Sequence, residues 1–93
     1  MIRNFKSRTA QDIFDGLTSR QARKIAMSLH SKIQRLFDQL NAITQVETLK
    51  IPPSNRLEKL KGNLKGYWGL RINKQWRITF KWKESDAHNV DCH

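Results

Sequence analysis

The stretch that decides the fold is Gln75-Trp76-Arg77-Ile78-Thr79-Phe80-Lys81-Trp82-Lys83, in which apolar and polar side chains alternate without a break. Alternation with a period of two predicts a β-strand with one buried face and one face open to solvent. The apolar face would carry Trp76, Ile78, Phe80 and Trp82. The basic residues of this strand are therefore expected to share one surface of a sheet.

The residues on either side of this strand predict its neighbours. Tyr67-Trp68-Gly69-Leu70-Arg71-Ile72-Asn73 alternates in the same way, and only a short turn near Asn73-Lys74 separates the two runs, so they predict an antiparallel hairpin. A turn at Glu84-Ser85-Asp86 and a short last strand from Ala87 to His93 should follow. Weaker strand candidates are Arg56 to Leu60 and Ile2 to Phe5.

The N-terminal half has helical periodicity. Thr9-Ala10-Gln11-Asp12 resembles a capping box and Gly16 suits a helix end, which predicts a two-turn helix. A longer helix is predicted from about Arg20 to Leu40, because its apolar residues recur at three-and-four spacing. Thr44 to Glu47 predicts one more turn before Pro52-Pro53. The expected fold class is α+β: a single domain over residues 1–93, with N-terminal helices packed on one face of a small curved antiparallel sheet.

Charge is concentrated in one segment. The chain of 93 residues carries a net +10, and Lys50–Lys83 holds ten basic residues against one acid, Glu58. This distribution is typical of a surface that binds phosphate groups. The alternative interpretation is a lysine-rich face that only keeps the protein soluble.

Several classes of protein are excluded at this stage. The single Cys rules out an internal disulfide framework and a multi-cysteine zinc site. No apolar run approaches the roughly 20 residues of a membrane span, and the first residues lack the apolar stretch of a secretion signal. We therefore expect a cytoplasmic protein that does not contact membranes.

The polar sheet face has the groups needed for RNA cleavage. Continuing the alternation into the last strand turns Val90 and Cys92 inward and places Asp91 and His93 on the same side as Arg77. Cations stabilise a charged phosphate and an imidazole moves protons, so a ribose 2′-hydroxyl could be activated without a metal or other cofactor. The alternative for His93 is an unordered terminal side chain.

Several blocks of the sequence resemble a known family. Asn55-Arg56-Leu57-Glu58-Lys59-Leu60-Lys61-Gly62, Gly66 to Asn73 and Gln75 to Phe80 are similar to the HigB (plasmid-maintenance killer) branch of the RelE-like toxins. The opening Ile2-Arg3-Asn4-Phe5 and the final Asp-x-His also fit. The resemblance implies the RelE-like toxin fold and a type II toxin that cuts mRNA in the ribosomal A site. It also implies neutralisation by a HigA-like helix-turn-helix antitoxin, in a complex expected to be heterotetrameric.

The resemblance also suggests roles for individual residues. Arg77 matches the arginine that stabilises the transition-state phosphate, and Lys61 matches a basic residue that contacts phosphate or transfers a proton. Asp91 and His93 match the ends of the family's Asp-Tyr-His tail, with His93 as general base or acid. Contacts with RNA or the ribosome are expected from Arg56, Lys59, Lys65, Tyr67, Arg71, Lys74, Lys81 and Lys83.

This sequence departs from the family at two positions. Glu58 stands where some relatives have His, and Cys92 replaces the aromatic residue of the tail. Two other functions therefore stay open: a basic nucleic-acid-binding module without catalysis, and a toxin homologue that keeps only antitoxin binding.

Overall fold

Two α-helices and a four-stranded antiparallel sheet form the framework of the protein. The structure is a computed structural model that describes residues 1–93. The elements are α1 (Arg8–Phe14), α2 (His30–Ala42), β1 (Glu58–Lys59), β2 (Trp68–Arg71), β3 (Arg77–Lys83) and β4 (Asp86–Cys92). Short 3₁₀ turns occupy Ala22–Lys24, Met27–Leu29, Val46–Lys50, Pro53–Asn55 and Gly62–Leu64. The predicted α+β class is confirmed.

The sheet has the order β1-β2-β3-β4, so each strand pairs with its neighbour in sequence. The predicted hairpin is confirmed, with Trp68 opposite Phe80 and Arg71 opposite Arg77. Its turn is held by the side chain of Asn73, whose Oδ1 accepts hydrogen bonds from the backbone N–H groups of Gln75 and Trp76 at 2.9 and 2.8 Å. The turn that joins β2 and β3 is therefore stabilised by hydrogen bonds between residues that are close together in the sequence.

The core lies between the inner face of this sheet and α2. The inner face contributes Leu70, Ile72, Ile78 and Phe80, which are all buried. From α2 the buried residues are His30, Ile33, Leu36, Phe37 and Leu40. The three tryptophans pack at the margin of this core and are only partly buried. Burial of one sheet face leaves the opposite face free to carry the polar groups.

Helix α1 begins two residues earlier than the proposed capping box. The Oγ of Ser7, not Thr9, accepts a hydrogen bond from the Ala10 N–H at 3.1 Å and caps the helix. The expected end is correct, since Gly16 has φ +75°, a backbone conformation that glycine adopts readily.

The predicted continuous helix from Arg20 to Leu40 is wrong. Ile25 and Ala26 have extended backbone with ψ 137° and 132°, and they separate two 3₁₀ turns before α2 begins. The carbonyl of Ile25 lies 2.9 Å from Nε2 of His30, so the break is supported by a side-chain hydrogen bond. The three-and-four spacing of the apolar residues did not reveal this break, because Ile25 is buried in the extended conformation, as it would be in a helix.

The weaker strand candidates form much less sheet than expected. Only Glu58–Lys59 of the 56–60 segment pairs with β2. The N-terminal residues make two isolated parallel bridges to β4, Ile2 with Ala87 and Phe5 with Val90. None of the helices has both the length and the apolar character needed to cross a bilayer.

Candidate functional site

The outer face of the sheet carries an open cleft of about 410 Å³ beside the β2–β3 turn. Its ionisable side chains come from β1, β2, β3, the turn and the tail, which are far apart in the sequence. They are Arg56, Glu58, Arg71, Lys74, Arg77 and His93. Four cations facing one carboxylate make this cleft a suitable place for an anion.

Arg77 lies at the centre of a row of ionisable residues that crosses the sheet. On one side it pairs with Arg71 of β2. On the other side it exchanges backbone hydrogen bonds with His93, at 3.1 and 2.8 Å. Because directly paired residues share a face, the two arginines and His93 are neighbours in this cleft. The structure thus places His93 beside Arg77, as the alternation predicted.

Glu58 contributes the only acidic side chain of the cleft. Its Oε1 lies 3.9 Å from Nη1 of Arg77, and both side chains stay accessible, at 62% and 40% exposed. Gly69 pairs with Glu58 across β1 and β2 and lies under the side chain of Leu60, which a Cβ added at Gly69 would approach to 3.1 Å. In the sequence, Glu58 stands out only as the one acid of the Lys50–Lys83 segment and as a departure from the family. Glu58 reaches the cleft because it pairs with Gly69 of β2. The sequence could not predict this pairing, because a strand of two residues is too short to show an alternating pattern.

A bulge in β4 determines which tail residues face outward. Lys81 pairs with His88 and Thr79 pairs with Asp91, so both Asn89 and Val90 lie opposite Phe80. Asn89 occupies the extra position with φ +54°. Such a bulge restores the inward orientation of Val90, although only two residues separate it from the inward-facing Ala87.

The bulge is held by the N-terminal segment. Oδ1 of Asn4 accepts from the Asn89 N–H at 3.0 Å, and Nδ2 of Asn4 donates to Oδ1 of Asn89 at 2.8 Å. These contacts join residues 85 positions apart in the chain. The alternating pattern of the last strand gave no sign of them.

Asp91 lies on the same face of the sheet as Arg77 and His93, as the alternation predicted, but it does not line the cleft with them. It lies opposite Thr79, outside the cleft lining, and its Oδ1 accepts a hydrogen bond from the Cys92 N–H at 2.9 Å. Cys92 faces inward, as predicted. Burial, with a smaller effect from the Asp91 charge, raises the pKa of the Cys92 thiol to about 12, so this thiol stays protonated at neutral pH.

Lys61 also lies apart from Arg77 and His93. It lines a second cleft of about 520 Å³, together with Lys59, Lys65, Tyr67 and Trp68. The ammonium group of Lys59 is 5.3 Å from the centroid of the Trp68 ring. The basic residues expected to contact RNA are thus divided between the two clefts, except for Lys81 and Lys83, which line neither.

Tyr67 is already engaged by its neighbours. The ammonium groups of Lys6 and Lys81 lie 5.7 and 5.2 Å from its ring centroid, and its hydroxyl accepts a hydrogen bond from Nδ2 of Asn89 at 3.3 Å. This arrangement favours a structural role over base stacking. Lys83 is exposed at the end of β3. No three His, Cys, Asp or Glu side chains cluster as metal ligands would.

Comparisons with known proteins agree on one family. The sequence model described as the RelE-like toxin of type II toxin–antitoxin system HigB matches residues 3–93. The chain is 35% identical to Toxin HigB-1 of Vibrio cholerae over 97% of this chain and 93% of that protein. It is 32% identical to Endoribonuclease HigB of Proteus vulgaris over 95% and 91% of the two chains.

Solved structures support the same fold. The toxin–antitoxin complex of YoeB and YefM from Staphylococcus aureus, described as heterotetrameric, includes a chain that aligns with a TM-score of 0.61 at 20% identity, over 99% of this chain and 94% of that one. A second structure of the complex aligns with a TM-score of 0.57 at 19% identity, over 100% and 98% of the two chains. The match of the family model over nearly the whole sequence, and the two HigB relatives, show that this chain belongs to the HigB toxins, RelE-like toxins of type II toxin–antitoxin systems.

Proposed function

We propose that this toxin is an endoribonuclease that cuts mRNA on the ribosome, and that the chemistry takes place in the cleft around Arg77. The observation that carries the proposal is the juxtaposition of Arg77, Glu58 and His93 on one open face. A relative of similar length bears the name endoribonuclease. Proton-transfer groups beside an arginine are the minimum needed to cleave RNA at a ribose 2′-hydroxyl.

The reaction needs three contributions, and this cleft offers a group for each. A base, Glu58 or His93, removes the proton from the 2′-hydroxyl, whose oxygen attacks the adjacent phosphorus. The bond from phosphorus to the 5′-oxygen breaks, leaving a 2′,3′-cyclic phosphate and a 5′-hydroxyl that receives a proton from the second group. Arg77, with Arg71 next to it, offsets the negative charge that grows on the phosphate oxygens.

The openness of the cleft supports the proposed dependence on the ribosome. Arg77 and Glu58 are 40% and 62% exposed, so the site cannot enclose a flexible RNA or exclude water by itself. Holding the reacting atoms in line provides much of the rate enhancement in such reactions. An mRNA held by the ribosome would already be ordered, and the toxin would add charge and proton transfer.

Neutralisation by an antitoxin completes the proposed function. The structural neighbours from Staphylococcus aureus were solved as toxin–antitoxin complexes. For this chain we propose a HigA-like helix-turn-helix antitoxin in a heterotetrameric complex.

The proposed activity is tested by the Arg77→Ala variant. Loss of a preorganised charge stabiliser should lower the cleavage of ribosome-bound mRNA by about 10²–10³-fold. Expression of the wild type without an antitoxin should stop bacterial growth, and the variant should relieve this arrest. The measurement is primer extension on mRNA in purified ribosome complexes.

A matched control is Arg35→Ala, which removes an exposed arginine from α2, outside the cleft. It should cleave as the wild type does. An Arg77→Ala protein that cleaves as fast as Arg35→Ala would refute the assignment. Binding of ribosomes by the wild type without any cleavage would favour the non-catalytic module instead.

A further inference from the structure

One carbonyl group in the turn of the β2–β3 hairpin is left free by the strand pairing. The Ile72 N–H donates to the Trp76 carbonyl at 3.0 Å, and in a regular antiparallel pair the Trp76 N–H would return a bond to the Ile72 carbonyl. The Trp76 N–H donates instead to Oδ1 of Asn73, at 2.8 Å. The Ile72 carbonyl accepts no backbone hydrogen bond, and because Ile72 is buried, this carbonyl needs a partner from elsewhere in the fold.

Lys32 of α2 is that partner. Its Nζ donates to the Ile72 carbonyl at 2.6 Å, across 40 positions of the sequence. The Lys32 side chain is half-buried and belongs to none of the four ion pairs of the protein. Hydrogen bonds from a charged donor are about twice as strong as neutral ones. This is also the only side-chain hydrogen bond between α2 and the hairpin, so it links the two elements at one defined point.

The helix itself gives no reason for a cation at this position. Lys32 is the third residue of α2, and positive charge in the first turn of a helix opposes the helix dipole. Lys32 precedes the buried Ile33 and lies four residues before the buried Leu36, at the margin of the apolar stripe that packs on the sheet. The contact with Ile72 accounts for the lysine better than helix formation does.

The peptide group that Lys32 holds lies at the end of the Arg77 cleft. Ile72 follows Arg71 directly, and its carbonyl shares a peptide unit with the N–H of Asn73, which donates a hydrogen bond within the turn. Arg71, Asn73 and Arg77 all line the cleft, and Arg71 opposite Arg77 is the last pair of the ladder before the turn. A shift of this peptide would therefore displace the two arginines that the proposed reaction uses.

We infer that Lys32 is a positioning residue for the Arg77 cleft. Its ammonium group holds the Ile72–Asn73 peptide against α2, and this peptide fixes the end of the hairpin that carries Arg71 and Arg77. Lys32 acts through the backbone, because its ammonium group is bonded to a carbonyl and it lines neither of the two clefts. The inference rests on the proposed endoribonuclease function, since it concerns the rate of cleavage in that cleft.

The test compares Lys32→Met, which removes the donor and keeps a long side chain, with Lys32→Arg, which keeps a charged donor. The control is Arg35→Met, which removes the same charge from an exposed position further along α2. Single-turnover cleavage of ribosome-bound mRNA, measured over a range of toxin concentrations, gives a maximal rate constant and a half-saturating concentration. The NMR chemical shift of the Ile72 carbonyl carbon reports on the contact itself. Thermal unfolding shows whether each variant is folded at the assay temperature.

Lys32→Met should lower the maximal rate constant by about 10- to 100-fold, because small displacements of the reacting groups are costly when the rate depends on their geometry. Its half-saturating concentration should stay within about twofold of the wild type, since no contact with RNA is lost. Lys32→Arg should restore the Ile72 carbonyl shift and most of the rate. Arg35→Met should match the wild type in both constants.

Three outcomes would overturn the inference. Lys32→Met could lower Tm and leave the maximal rate constant unchanged, which would make the role of Lys32 structural only. It could raise the half-saturating concentration alone, which would make Lys32 a direct contact to RNA or the ribosome. Lys32→Arg could restore the Ile72 shift while cleavage stays slow, which would separate the contact from the rate.

A second variant covers the case in which Lys32→Met unfolds below the assay temperature. Lys32→Gln has a shorter side chain without charge, and it makes the same comparison with Lys32→Arg. Absence of cleavage by the wild type would contradict the proposed function. The Ile72 carbonyl shift would still show in that case whether Lys32 holds the turn.

Discussion

At the scale of single residues, the ion pair between Glu58 and Arg77 is the feature with most consequence. A separation of 3.9 Å between two accessible side chains is loose, and exposed pairs of this kind contribute little to stability. On the proposed function, a phosphate that enters the cleft would compete with Glu58 for Arg77. The carboxylate would then be free to accept a proton, so the same contact would order the arginine in the empty site and supply a base in the occupied one.

This interpretation predicts opposite effects of Glu58→Gln on binding and on cleavage. Removing the only acidic side chain of the cleft should strengthen binding of a non-cleavable RNA, because Glu58 then no longer competes with the phosphate for the four cationic side chains. Cleavage should fall by about 10²–10⁴-fold, since an amide cannot serve as a base. Anisotropy and single-turnover cleavage on ribosomes measure the two quantities. Unchanged cleavage would leave His93 as the base and limit Glu58 to ordering Arg77.

The tail shows how far individual residues could be predicted. The alternation predicts that Cys92 faces inward, and Cys92 is buried. This prediction is correct because Cys92 lies opposite Ile78, which is on the inner face of β3. Asp91 was expected to join His93, yet its carboxylate accepts a hydrogen bond from the next backbone N–H. Alternation specifies the face of a strand, and it does not specify which neighbour a short side chain will contact.

At the scale of elements, prediction worked where the controlling contacts are local. The β2–β3 hairpin followed from alternation and from a turn that Asn73 holds by itself. The helix expected over residues 20–40 is broken at Ile25, where a hydrogen bond from the side chain of His30 supports the extended backbone. Apolar spacing cannot reveal a break that leaves the apolar residues buried.

The β4 bulge is the element whose alteration should be most informative. Asn89 has φ +54°, a region that β-branched residues avoid and glycine adopts freely. Both Asn89→Gly and Asn89→Val lose the side-chain hydrogen bonds of Asn89 to Asn4 and Tyr67 and keep the backbone N–H that donates to Asn4, so a comparison of the two isolates the backbone effect. The valine variant should be less stable than the glycine variant by about 1–3 kcal/mol.

For a chain of this size, about 1 kcal/mol corresponds to a change of roughly 4–8 °C in Tm. The valine variant should also cleave more slowly than the glycine variant, because a shifted β4 turns His93 away from Arg77. Thermal unfolding and cleavage on ribosomes provide the comparison. Equal Tm values for the two variants would show that a β-branched residue at position 89 does not lower the free energy of unfolding.

At the scale of the whole molecule, the sequence shows that basic residues are concentrated in one segment. It does not show that these residues line two separate clefts. The excess of basic residues in Lys50–Lys83 is a property of composition alone. Seven of these ten basic residues line one of the two clefts, and the clefts meet at β1, where Glu58 lines the first and Lys59 lines the second. A strand of two residues has too little pattern to be assigned a register in advance.

The net charge of +10 on a molecule of 31 × 26 × 26 Å predicts opposite effects of salt on folding and on RNA binding. The screening length falls from about 30 Å at 0.01 M salt to about 10 Å at 0.1 M, from the full width of the protein to a third of it. Repulsion among the cations should weaken over this range and Tm should rise, because only four ion pairs oppose the repulsion. Affinity for RNA should fall over the same range, since the release of condensed counterions on binding gains less free energy when the surrounding salt is more concentrated. Thermal unfolding and anisotropy with non-cleavable RNA, measured in one KCl series, test both trends. A Tm that falls with salt would mean that the ion pairs outweigh the repulsion, and that the basic surface does not strain the fold.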